Sequence, residues 1–319
     1  MAAACNVAVA LSLNVINGMA GQFSIGHAGF VGIGGYTSAV IASNLHHALG
    51  GGEPTLARSF IVVPVCLVAS AALAGAFGFV VGLPSLRLRG DYLAIVTLGF
   101  AEIFRLSIAT AGAGEGGGLL ARLGGQNGYQ GVGNVGVPLY AGPFWVFGVV
   151  FVLGVVAWRI KFSGWGRALR ALREDEIAAA AVGVDPTRYK VTSFVLAATG
   201  AGIAGGLMAI MRDGMPVQNP DNYTFQTSFD AITMVILGGS GSVTGAVLGG
   251  LFITFSIKAI EQVQGSDVVR ELVVSVPSLD LNALRMIVYA AVLILLMIWR
   301  PEGLLGEREL FFNSRRKTT

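Results

Sequence analysis

The chain has 319 residues, 54% of them hydrophobic and only 12% charged, with a mean hydropathy of +0.71. Soluble domains carry about 25% charged residues, so the composition excludes an ordinary soluble enzyme and points to an all-α, polytopic membrane helix bundle forming one transmembrane domain over 1–319. The formal net charge is only +3 and the basic residues gather at the borders of apolar segments, which argues against nucleic-acid binding; Cys5 and Cys66 both sit in apolar sequence and read as small buried hydrophobes.

A helix needs about 20 mostly apolar residues to cross the hydrocarbon core. Candidate spans fall at roughly 1–17, 23–45, 59–83, 91–109, 142–160, 191–212, 225–240, 243–263 and 283–299, about nine in all, with 225–240 short enough to be re-entrant. Residues 1–17 lack a basic leader and a clear small-residue cleavage site, so they read as a short first span and not as a signal peptide.

Glycine and polar residues interrupt this apolar pattern twice. Gly21-Gln22-Phe23-Ser24-Ile25-Gly26-His27 opens the second span, and Leu237-Gly238-Gly239-Ser240-Gly241-Ser242 separates two later ones. Such runs weaken a helix, and polar groups at membrane depth need partners or a water-filled cavity. Interruptions at corresponding places in two halves point to a transport site. His27 suits an interhelical hydrogen bond or a place on the pathway. Glu102 and Arg105, three apart in the fourth span, suit an intrahelical ion pair or a polar lining. The candidate pathway set is therefore Gly21, Gln22, Ser24, Gly26, His27, Thr97, Glu102, Gly238, Gly239 and Ser240.

Basic residues set the orientation. Arg87 and Arg89, the segment 159–190, and Arg300, Arg308, Arg315, Arg316 and Lys317 all fall on one side when the spans alternate. That side is the cytoplasm, with the amino terminus outside and the carboxyl terminus inside. The opposite side receives 46–58, 110–141, 213–224 and 264–282. The glycine-rich stretch 110–141 reads as a flexible connector or as a border of the outer mouth.

Between Arg159 and Lys190 lie eleven of the 39 charged residues. This cytoplasmic island, 161–190 at its core, has strong helix formers from Trp165 to Val182. Arg167, Arg170 and Arg173 share a face, and Glu174 follows Arg170 by four residues, within pairing reach. Glu174, Asp175 and Glu176 precede Ala178–Ala181 and suit the positive end of a second short helix. Gly183 permits a turn, and Asp185-Pro186 suits an N-cap followed by proline at the first helical position. The expected order is helix, helix, turn, helix.

The spacing Glu176, Ala179, Gly183 resembles the coupling loop of ABC importer permeases. The resemblance extends through LSLNVINGMAGQFSIGHAGFVGIGGYTSAV, LRLRGDYLAIVTLGFAEIFRL, GRALRALREDEIAAAAVGVDPTRYKVTSFVLAATGAGIAGGL, ITMVILGGSGSVTGAVLGG and RPEGLLG to the branched-chain amino acid permeases, and the second block favours the LivM-like, or M-type, subunit. It implies a bacterial inner-membrane importer of branched-chain or other hydrophobic amino acids, with relatives in the same family carrying urea or short amides. It also implies an H-type permease partner, two cytoplasmic ATPases and an extracytoplasmic solute-binding protein. Arg170, Arg173, Glu174, Asp175, Glu176, Ala179, Gly183 and Asp185 become candidate ATPase-coupling residues. The chain has no Gly-x-x-x-x-Gly-Lys-[Ser/Thr] loop, so ATP and Mg belong to the partner ATPases and no cofactor is expected here. An ion-coupled secondary transporter is the alternative of another class, but it leaves the island unused.

Overall fold

The computed structural model describes residues 1–85, 91–111, 123–131, 136–212, 217–264, 294, 298, 303–306 and 308–310, and among them the architecture is helical throughout. Helix α1 (Ala2–Leu13) runs into a π-helical turn, Asn14–Met19. It is followed by α2 (His27–Ala48), α3 (Leu56–Ser85), α4 (Asp91–Ala111) and α5 (Pro143–Phe162). The island forms α6 (Gly164–Glu174) and α7 (Glu176–Ala181), then α8 (Pro186–Ile210) returns into the bundle. Helices α9 (Phe225–Gly238) and α10 (Val243–Gln264) complete it.

Five of these elements are long and apolar enough to cross a membrane: α1 with its π turn, α3, α4, α5 and α8. This is fewer than the nine spans expected. Helix α9 has only 14 residues, and α10 is apolar only over Val243–Ala259. Helix α2 has 22 residues, diluted by glycine, serine and two terminal histidines. The expected span 283–299 lies outside the described residues apart from Ile294 and Ile298.

Burial separates core from periphery. The spanning windows of α1 and α8 are 78% and 72% buried, against 11% for α5. Helix α8 packs on α1, α2 and α3. The contact works because the partners are small. A Cβ on Gly205 would lie 1.9 Å from the Val31 carbonyl oxygen, so any other residue would force α8 away from α2. Phe144, Phe147, Phe151 and Val152 of α5, with Phe79 and Val80 of α3, are exposed. Apolar faces of this extent suit lipid or a neighbouring subunit.

The two ends of the bundle differ. At one, backbone bridges join Tyr129 to Gln218 and Ala141 to Met211, and His46 Nδ1 meets the Tyr140 hydroxyl at 2.7 Å. Three loops expected on a common side therefore share one end. At the other end, the last turn of α5, just before α6, meets the carboxyl-terminal residues through the ion pair of Lys161 and Glu309.

Candidate functional site

The island forms as its caps dictate. Ser163 accepts from the Gly166 amide and starts α6. Asp175 accepts from the Ile177 and Ala178 amides at 2.8 and 3.0 Å and starts α7. Gly183, at φ 90°, ends α7: its amide donates to Ala180 O and that of Val184 to Ala179 O, the Schellman pattern. Asp185 then accepts from the Arg188 amide and starts α8 behind Pro186. Lys190 pairs with Glu176 at 2.6 Å, closing the turn between α7 and α8. Trp165 stacks on Tyr189 with ring centres 6.2 Å apart. Ala179 is buried, while Ile177 and Val182 are 82% and 79% exposed. Short, braced and topped with apolar side chains, α7 presents a preformed contact surface.

The three arginines of α6 serve backbone carbonyls. Arg167 donates to Phe162 O at 3.3 Å, and Arg170 to Gly166 O and Lys161 O, each at 3.4 Å. Glu174 is exposed and does not take the Arg170 side chain as expected. That guanidinium is held instead at the junction of α5 and α6. Arg173 reaches furthest, donating from a guanidinium nitrogen to Gly18 O at 2.8 Å, across 155 residues of sequence.

Gly18 lies in the π turn, just before the first interruption. The chain leaves the π turn, passes Gly21 at φ 66°, and runs without regular secondary structure to the start of α2 at His27. His27 there meets Ser12, seven residues before the end of the π turn, with 2.8 Å between Nε2 and Oγ. The Ser12 hydroxyl also lies 2.8 Å from Val9 O, so Ser12 is held between the histidine and its own helix. The histidine thus forms the interhelical bond, between α1 and α2. Neighbouring helices stitch this irregular segment. Thr97 Oγ1 accepts from the Ile25 amide and Ser228 Oγ from the Ala28 amide, while Asn17 exchanges bonds with the Ser24 backbone. A Cβ on Gly26 would strike Thr97 O at 2.1 Å. Gln22 is the exception: it is 6% exposed, and both its amide nitrogen and oxygen are buried without a hydrogen-bond partner.

The second interruption is compact. Gly239 (φ 112°) and Gly241 (φ 87°) turn the chain from α9 into α10. Asn14, fully buried in the π turn, accepts from the Gly241 amide at 2.9 Å and donates to Ser242 O at 3.0 Å. The two interruptions therefore touch, and Arg173 lies against both. A Cβ on Gly21 would lie 2.6 Å from Arg173 Cγ, and one on Gly241 would lie 3.4 Å from an Arg173 guanidinium nitrogen. Ser240 stays half-buried beside them.

Glu102 is engaged differently. It accepts from Arg105 at 2.9 Å, and Arg105 extends to Asp221 at 3.4 Å in the 3-10 turn Pro220–Tyr223. Sequence reasoning also missed a cavity of about 690 Å³ between α2, α3 and α4, lined by Ile33, Tyr36, Thr37, Phe77, Phe100 and Phe104 among others. None of the candidate pathway residues lines it. Its apolar and aromatic walls are indistinguishable in sequence from lipid-facing helix, so composition carried no signal. Asn14 and Gly18 were also missed; the three asparagines of the first span, Asn6, Asn14 and Asn17, were the signal.

A bundle of apolar helices, interrupted twice and tied at the interruptions to a polar two-helix island, has the organisation of a membrane permease. The chain belongs to the branched-chain amino acid transport system permease component family, whose model matches residues 2–297. It is 34% identical over 320 residues to the LivM permease of the high-affinity branched-chain amino acid transport system of Escherichia coli, covering 94% of this chain and 67% of that one. A probable LivM permease of Methanocaldococcus jannaschii is 26% identical over 338 residues, 97% and 92% of the two chains. The LivH permease of Escherichia coli is 31% identical over 151 residues, 47% and 42% of the two chains. No solved structure matches the chain.

Proposed function

We propose that this chain is the M-type half of the transmembrane pair in an ATP-driven importer of the bacterial inner membrane, with an H-type permease as the other half. Two cytoplasmic ATPases, which hold ATP and Mg, dock on α6 and α7, and an extracytoplasmic binding protein delivers solute at the opposite end. The amino terminus lies outside and the carboxyl terminus inside.

One observation carries this reading: Arg173, on the island, is bonded to Gly18 and packed against Gly21 and Gly241. A displacement of α6 by a docked ATPase moves both interruptions at once. The exposed Ile177 and Val182 give the ATPase apolar anchors beside the charged rim of Glu174 and Glu176. For the solute, the apolar cavity between α2, α3 and α4 favours a branched-chain or other hydrophobic amino acid over urea or a short amide. The test is reconstitution with the H-type partner, ATPases and binding protein in vesicles. Leucine uptake that requires ATP and all four components is the expected result; uptake that persists without the ATPases, or follows a proton gradient, contradicts it.

A further inference from the structure

Glu309 lies beyond the last span expected from sequence, yet its side chain is only 3% exposed. Lys161, in the last turn of α5 just before α6, is 7% exposed and donates to it at 2.5 Å. The other acceptor positions of the carboxylate are also filled. It takes the Val243 and Thr244 amides at 2.8 and 2.9 Å, the Ser242 hydroxyl at 3.3 Å and the Thr244 hydroxyl. It therefore caps α10, where a negative charge meets the positive end of the helix. Burial alone would raise the pKa of this carboxyl, but the bonds from Lys161, Thr244 and Val243 outweigh it and hold Glu309 below the ordinary carboxylate value. The carboxylate is ionised and the ion pair is formed.

The same segment grips the far side of the second interruption. Leu304 donates to Leu237 O at 2.8 Å and Leu305 to Gly238 O at 3.2 Å, and a Cβ on Gly239 would meet Gly306 O at 2.4 Å. The carboxyl-terminal strap thus holds the end of α9 by its backbone and the start of α10 by Glu309. Through Lys161 it holds the root of α6, where Arg170 binds the Lys161 carbonyl. This connection runs from island to second interruption without passing through Arg173. Stability does not account for it, because a buried ion pair is often no more stabilising than a well-packed apolar pair of the same volume.

We propose that Glu309 and Lys161 are a positioning pair for transport, a clasp that carries displacement of α6 to the α9–α10 turn. The proposal rests on the importer reading above. It is tested in the reconstituted complex with the double variant Lys161→Met/Glu309→Gln, which leaves no unpaired buried charge. The clasp predicts that this variant assembles with the ATPases and hydrolyses ATP at the parental rate, while leucine taken up per ATP falls about tenfold. A pair with a purely structural role predicts that removing both charges restores uptake along with assembly. Parental uptake per ATP in the double variant therefore overturns the clasp, as does its loss from the membrane, which would make the pair a folding element. A parental complex lacking ATP-driven uptake instead removes the importer reading, and the clasp with it.

Discussion

The two interruptions meet at the same arginine but are built in opposite ways. The first, from Gly21 to His27 after the π turn, is irregular over six residues and held by side chains from α1, α4 and α9. The second, from Gly238 to Ser242, is a tight glycine turn held by the backbone of the strap and by Glu309. Only the first contains a buried polar side chain with no partner, Gln22. An unsatisfied buried amide costs about 1–3 kcal/mol, so the first interruption stores a penalty that another arrangement of the chain can relieve. The second has its polar groups matched and glycines where backbone approaches closely. The contrast is one of satisfaction: the first leaves a buried amide unbonded, and the second is closed by the backbone packed against it.

The largest effect is expected where the two are joined. Asn14→Leu keeps the branched shape of the side chain but orphans the Gly241 amide and the Ser242 carbonyl, both buried. It should lower the stability of the purified protein by about 2–6 kcal/mol, read as an earlier thermal transition in detergent. An unchanged transition would mean that the interruptions are not coupled through this residue. A smaller effect is expected on the island surface. Ile177→Glu should weaken ATPase binding by about 1–2 kcal/mol while leaving thermal stability within about 0.5 kcal/mol, because the side chain is 82% exposed. Undiminished binding would remove α7 from the docking surface. The subtlest effect concerns Gln22. Gln22→Leu should leave stability unchanged or raise it by up to about 2 kcal/mol. If the amide finds a partner during transport, uptake falls all the same; unchanged uptake would mean that Gln22 stays unbonded throughout the cycle.

Local features of this design were legible in the sequence. The acidic run Glu174–Glu176 announced a second short helix, Asp185 the start of α8 and Gly183 the turn between them, because such signals act within about four residues. Both interruptions were visible as glycine runs in apolar sequence. The contacts between distant segments were not. Nothing in the composition pairs Asn14 with Gly241 or Arg173 with Gly18, which lie more than 150 residues apart. The expected bond between Arg170 and Glu174 obeyed helix spacing, but the guanidinium turns to the carbonyls of Lys161 and Gly166 instead. Glu309 looked like one more charge in a basic tail, since only the fold brings α10 and Lys161 to it.

The central claim is that Arg173 joins the docking surface to the interruptions. The most direct measurement is ATP-driven leucine uptake by vesicles carrying Arg173→Met, which keeps much of the side-chain bulk but cannot donate to Gly18. The account predicts ATPase binding at the parental level and uptake reduced about tenfold or more. Parental uptake in this variant would contradict it.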